Sequence, residues 1–194
     1  MSSENNTLVS ANEALGKLRQ GNEKYLDASV NSGDISLAIR KDTCENGQHP
    51  YAIVITCADS RVIPESIFSA GIGELFVIRV AGNVINEFQL GSVEYAADHL
   101  GSKLVVVLGH TNCGAVGAAV SGHTGGFIKS ITDEIKAAIG EETDGYKACC
   151  LNVRHGVEKI ESSLEIPAGG EKNGVRVIGA VYHIEDGRVE FMEA

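Results

Sequence analysis

An α/β fold with a mostly parallel central sheet flanked by helices is the architecture predicted by this 194-residue sequence, and three features carry it. Two apolar, β-branched runs, residues 52–56 and 104–109, have the length and composition of strands buried on both faces. Strand-like and helix-like segments alternate between and after them, which implies right-handed crossovers and parallel pairing. Near the C-terminus, Asp186-Gly187 separates two apolar segments as a hairpin turn does, adding a C-terminal antiparallel edge strand. An N-terminal helical arm completes the outline.

Taken in order, Ser10 is an N-cap with Glu13 three residues later, and Leu15, Leu18 and Tyr25 supply the apolar points of an amphipathic helix over 10–25. Residues 30–47, rich in Gly, Asn, Asp and Ser, read as a loop with a short helix. Strand 52–56 is followed by a short helix over 64–70, a strand over 75–80, a helix over 88–100 and strand 104–109. The small residues Gly114, Ala115, Gly117, Ala118 and Ala119 open a closely packed helix, and 122–126 is a flexible break. Helices over 127–139 and 146–163, separated at Gly145, lead to a strand over 175–182 and a last one over 188–192.

One hydrophobic core suits 194 residues, so a single domain is expected across 1–194, with 1–46 as helical arm and loop and 48–120 as the core of the site. An apolar fraction of 43% and near-neutral mean hydropathy are those of a globular protein, and no apolar run approaches the ~20 residues of a membrane helix. The first seven residues lack the basic flank and apolar stretch of a secretory signal, so a cytoplasmic location is expected. A formal net charge of −10 without a Lys/Arg cluster argues against nucleic-acid binding.

The chemistry sits at the ends of the two buried strands: Cys57-Ala58-Asp59-Ser60-Arg61 after the first and His110-Thr111-Asn112-Cys113 after the second. Side chains just past parallel strand ends share the sheet edge where ligand crevices form, so Cys57, His110 and Cys113 can converge from distant positions. Two thiolates and an imidazole suit zinc, and three protein ligands leave a fourth place for water, the opening that hydration or hydrolysis needs. Asp59 and Arg61 lie two apart, so an extended stretch would point both the same way, and arginine's planar fork holds a carboxylate bidentately in its ionised form. Of five cysteines, Cys44, Cys149 and Cys150 remain outside this set and read as reduced, since neighbours such as Cys149 and Cys150 point apart on a helix. Buried packing is the role expected for at least one of that pair.

These strings resemble the CxDxR and HxxC signatures of the β-class carbonic anhydrases, and 73–79 and Glu94-Tyr95-Ala96 resemble that family's segments as well. The resemblance implies a zinc enzyme that interconverts carbon dioxide and bicarbonate through a zinc-bound hydroxide, one Zn2+ per chain, on an α/β fold assembled as homodimers or higher homo-oligomers. It assigns the metal to Cys57, His110 and Cys113, and to Asp59 and Arg61 the orientation of the hydroxide; Asp59 as a fourth metal ligand closing the site is the alternative. Gln48, Phe76, Ala81 and Tyr95 match substrate-pocket positions of the plant-like branch, with Ala81 where that branch usually has valine. The other branch's regulatory bicarbonate site uses a tryptophan where this chain has Val54, and the chain has no Trp, so no such switch is expected. His99, four residues after Tyr95 and on the same helix face, matches a position proposed for a proton shuttle; His49, His123, His155 and His183 read as structural or solvated. The family's N-terminal arm packs on a neighbouring subunit, and packing on its own core is the other possibility here. Rival functions are a zinc hydrolase of carbon disulfide or carbonyl sulfide, and a non-catalytic zinc or thiol sensor.

Overall fold

The computed structural model describes residues 8–27, 33–123 and 125–192. The elements are α1 (Ala11–Asp27), α2 (Leu37–Asn46), β1 (Ala52–Thr56), α3 (Pro64–Ile67), β2 (Leu75–Arg79), α4 (Glu87–Asp98), β3 (Leu104–His110), α5 (Gly114–Val120), α6 (Lys129–Ile139), α7 (Gly145–Ser163), β4 (Glu171–Lys172), β5 (Val175–Tyr182) and β6 (Val189–Met192). Among the described residues, no helix is long and apolar enough to cross a membrane.

The strands form one sheet in the order β2-β1-β3-β5-β4, with β6 pairing β5 as well. Pairing is parallel from β2 through β5, whereas β4 and β6 join β5 antiparallel. Since β2 lies on one side of β1 and β3 on the other, the chain reverses its direction of winding at β1, and a crevice opens between the C-terminal ends of β1 and β3.

Strand periodicity divides the core. Val54, Val106, Leu108, Ile178 and Ala180 face one side, where Ala14 and Leu18 of α1 and Ile67 of α3 cover them. The alternate residues Ile53, Ile55, Val105, Val107 and Val181 face the other, under Val93 and Ala96 of α4 and Val153 and Ile160 of α7. A third cluster surrounds Cys57 and Cys113 at the strand ends, built from Val84, Val116, Ala119, Ile135, Ile139 and Ala148.

Helix ends follow local chemistry. The Ser10–Glu13 capping box forms as the sequence predicts, with Glu13 N donating to Ser10 Oγ and Ser10 N to Glu13 Oε2. Helix α1 runs two residues past the predicted end and packs on its own chain's core, where Leu18 is fully buried and Gly21 lies so near α3 that a Cβ would sit 1.9 Å from the Phe68 carbonyl oxygen. Asn86 and Gln89 close a second capping box, starting α4 one residue early, and the helix stops at Asp98 rather than residue 100. Helix α3 ends at Ile67 because Ser69 turns into the left-handed region, with φ of 48°. The stretch expected to be helical over 127–139 opens as a 3-10 turn, Gly126–Ile128, and Gly145 begins α7 under an Asp144 cap instead of separating two helices. The break over 122–126 and the loop over 30–47 each extend partly outside the described residues. Strand β4 carries no apolar alternation in the sequence; its two residues pair with Arg176 and Val175.

The docking of α1 is testable. Leu18→Ala removes a fully buried side chain and is expected to lower the unfolding free energy by about 2–5 kcal/mol; urea unfolding of both proteins measures it, and an unchanged midpoint would show that α1 does not pack on this core.

Candidate metal centre

Cys57 lies one residue past β1, and His110 is the last residue of β3, one residue further into the strand than the sequence predicts because it pairs with Tyr182 of β5. Thr56 stands opposite Leu108 across the parallel ladder, so Cys57 and His110 leave the sheet side by side. Asn112 then takes φ of 55°, a left-handed turn that asparagine tolerates, and brings Cys113 back to the N-cap of α5. One ligand atom from each of Cys57, His110 and Cys113 falls within 4.8 Å of the others, and all three residues are buried.

The donor set fits a metal ion. His110 Nδ1 lies 2.9 Å from the Thr111 carbonyl, a contact that makes Nδ1 the protonated nitrogen and leaves Nε2 with its lone pair. That Nε2 is buried without a partner of proper hydrogen-bond geometry, its polar neighbours being the Cys57 and Cys113 sulfurs within 4.8 Å, a costly state for a polar atom unless something else binds it. The sulfurs are prepared as well. Hydrogen bonding from Cys113 is the main cause that lowers Cys57 to about 4, with His110 and the Gly82 amide assisting against burial. Gly82 donates its N–H to Cys57 Sγ at 3.2 Å from a backbone φ of 69°, and a Cβ there would sit 2.7 Å from Ile135 Cδ1. Cys113 is pushed up by the same hydrogen bond and by burial, so without a cation the two sulfurs hold one proton between them. For His110, burial acts downward, but the Cys57 and Thr111 contacts outweigh it and raise its pKa. The cluster is thus a pocket of sulfur anion and held proton that a divalent cation can replace.

Asp59 and Arg61 meet beside this cluster through a turn, not the extended stretch the spacing suggests. Asp59 Oδ1 accepts from Arg61 N and Nε, both at 2.9 Å, and Oδ2 from Arg61 Nη2 at 2.7 Å. That bidentate grip is the first cause holding the Asp59 carboxyl well below the usual carboxylate range. Asp59 Oδ2 is also 4.0 Å from His110 Nε2, at the rim of the ligand set. Arg61 Nη2 reaches the Asn112 carbonyl at 3.2 Å and so ties the two strand-end loops together.

Arg79, to which sequence reasoning gave no role, supports the loop that carries the cluster. From the end of β2 it donates Nε to the Cys57 carbonyl at 3.2 Å and Nη2 to the Asp59 carbonyl at 2.6 Å, bracing the loop that carries both residues. Its signal was a single charged residue closing an apolar strand beside β1.

A family model described as "Carbonic anhydrase" matches residues 52–189. The chain belongs to the β-class carbonic anhydrases. Carbonic anhydrase 2 of Mycobacterium tuberculosis is 34% identical over 185 residues, which span 88% of this chain and 87% of that protein. Among solved structures, a Coccomyxa β-carbonic anhydrase in complex with acetazolamide is 29% identical with a TM-score of 0.68, covering 92% of this chain and 86% of that one. A β-carbonic anhydrase from Sordaria macrospora, described as tetrameric, is 25% identical with a TM-score of 0.65, over 81% of this chain and 92% of its own.

Of the pocket positions that the carbonic anhydrase resemblance assigns, the chain brings only Ala81 to its own metal centre, next to Gly82 and Cys57. Phe76 pairs with Ile53, four residues before Cys57 along β1, or about 13 Å at strand rise. It faces Tyr95, with ring centroids 6.2 Å apart, and Tyr95 faces His99 at 5.4 Å. Gln48 is exposed on the segment entering β1, again away from the strand's C-terminal end. Cys149 is buried and burial pushes its thiol up to about 12, an inert packing group, whereas Cys44 is exposed and Cys150 half-buried; none of the five cysteines forms a disulfide.

In the metal-free protein, the ultraviolet absorbance of one thiolate should persist as pH falls and disappear near about 4, because the charged form of Cys57 is stabilised. Cys57→Ser should abolish that transition, and a titration with every thiol protonating above neutrality would contradict the paired-sulfur arrangement.

Proposed function

We propose that this chain catalyses the reversible hydration of carbon dioxide to bicarbonate and a proton, with one zinc ion per chain held by Cys57, His110 and Cys113. The observation that carries the reading is the convergence of two sulfurs and an unpartnered imidazole nitrogen beside a carboxylate clamped by arginine. Zinc in such a set supplies the acidity that turns a water into a hydroxide nucleophile near neutral pH.

The chain's own residues do the rest. Arg61 keeps Asp59 ionised and its Oδ2 turned to the rim of the ligand set, where the carboxylate accepts the O–H of the nucleophile and aims its lone pair at the carbon. Both carboxylate oxygens are engaged by Arg61, which supports Asp59 as an orienting group and not a fourth ligand. Arg61 and the metal oppose the net charge of −10 locally, so that bicarbonate can be held in an anionic protein. Thr56, His110 and the third core cluster wall the centre from bulk water.

Gln48, Phe76 and Tyr95 act as pocket residues, and His99 as a proton carrier, across an interface. Phe76 is level with Ile53, about 13 Å back from Cys57, Tyr95 and His99 lie beside it, and Gln48 precedes β1 at that same end, while Tyr95 is 48% and Phe88 83% exposed on α4, an apolar surface that a second copy would cover. The functional unit on this reading is a homodimer or a higher homo-oligomer of cytoplasmic enzyme, with 1–194 as one domain.

Metal analysis paired with a stopped-flow hydration assay tests the reading. We expect about one zinc per chain, activity that rises on the alkaline side of neutrality because two thiolates weaken the metal as a Lewis acid, and loss of both metal and activity in Cys113→Ala. Zinc-replete protein without hydration activity would sink the proposal, as would hydrolysis of carbonyl sulfide or carbon disulfide but not of carbon dioxide. Tyr95→Asp should dissociate the oligomer in sedimentation velocity and lower kcat/KM while zinc content stays at one; an active monomer would overturn the shared pocket.

A further inference from the structure

Thr111 lies between a metal-ligating histidine and a left-handed asparagine, where the chain has just left the sheet's hydrogen-bond ladder. Its carbonyl accepts from His110 Nδ1 at 2.9 Å, and its N–H donates to the Tyr182 carbonyl at 3.0 Å. Its hydroxyl does two further jobs: it donates to Glu185 Oε2 at 2.8 Å and accepts the N–H of Ile184 at 3.0 Å. Thr111 is therefore pinned at three points to the last residue of β5 and the segment just after it, 71 to 74 residues away in sequence.

We propose that Thr111 and Glu185 are positioning residues for the metal centre: together they fix the carbonyl that orients His110, and so the direction in which Nε2 faces. The inference rests on the zinc reading above and adds residues to it.

The His110 ring is held at Nδ1 by one carbonyl, so any rotation of the Thr111 peptide swings Nε2 relative to the two sulfurs. Packing does not restrain that peptide on its outer side, where a cavity of about 610 Å³ is lined by Thr111, Asn112, Cys113, Tyr146, His183 and Glu185. Hydrogen bonds must hold it instead. Glu185 suits the task as a persistent anion: its own backbone N–H and then the Thr111 hydroxyl keep its carboxyl below the ordinary range. His183 Nδ1, 3.7 Å from the other carboxylate oxygen, steadies it from behind. Hydrogen-bond partners one step removed from a metal commonly change affinity or activity by about 10–100-fold.

The test uses the full chain and three variants, Thr111→Val, Thr111→Ser and Glu185→Gln. Zinc affinity is measured by competition with a chromophoric chelator, and ligand geometry by the visible spectrum of the cobalt-substituted protein. Thr111→Val should weaken zinc about 10–100-fold and alter the cobalt spectrum; Thr111→Ser, which keeps the hydroxyl, should restore both. Glu185→Gln, an exposed and isosteric change, should give a smaller loss in the same direction with unchanged thermal unfolding of the metal-free protein. Wild-type affinity and spectra in both Thr111→Val and Glu185→Gln would overturn the assignment. A wild-type chain that binds no zinc would instead overturn the metal reading on which it rests, and the two failures are distinguished by that one control.

Discussion

The parallel register of β1 on β3 is the constraint from which the rest follows. Thr56 lies opposite Leu108 and donates its hydroxyl to the Leu108 carbonyl at 2.8 Å, locking the last turn of the ladder before the site begins. A slip of one residue would send Cys57 to the other face of the sheet while His110 stayed in place, and the two could no longer share a ligand sphere. Because winding reverses at β1, no crossover helix fills the crevice between these strand ends. The centre forms at the place where two strands are adjacent and their connections diverge.

Around it, the polar groups of the strand-end loops are paired with a nearby opposite charge or a hydrogen-bond donor. The sulfur of Cys57 has the Gly82 amide, Asp59 has Arg61, and the loop carbonyls have Arg79. Burying an unsatisfied polar atom costs on the order of 1–3 kcal/mol, which is why the unpartnered His110 Nε2, set beside two sulfurs, points to function rather than to stability. The other buried polar atoms without partners among the described residues, Ser69 Oγ and Asn83 Nδ2, belong to residues in left-handed turns flanking helices.

Much of this was legible because strand periodicity and strand-end placement are local properties. Strands β1 and β5 occupy the predicted residues, since continuous β-branched runs leave a buried parallel strand little freedom in where it starts. The clustering of Cys57, His110 and Cys113 was legible too, from residue type and position. Less legible was anything set by a neighbour: Asp59 and Arg61 curl into a turn because the arginine fork closes on the carboxylate, and β4 exists only because β5 offers an edge. Arg79 looked like the end of a strand until β2 was placed beside β1.

By itself the sequence determined the fold class, the convergence of Cys57, His110 and Cys113 at one sheet edge, the pairing of Asp59 with Arg61 and the family to which these motifs point, all of which depend on residue chemistry and short-range pattern. Tertiary structure alone decided that α1 covers its own core, that Thr111 is anchored from beyond β5, and that Gln48, Phe76 and Tyr95 sit away from the metal centre of their own chain. Those facts depend on strand order and register, which bring together residues that no local pattern relates.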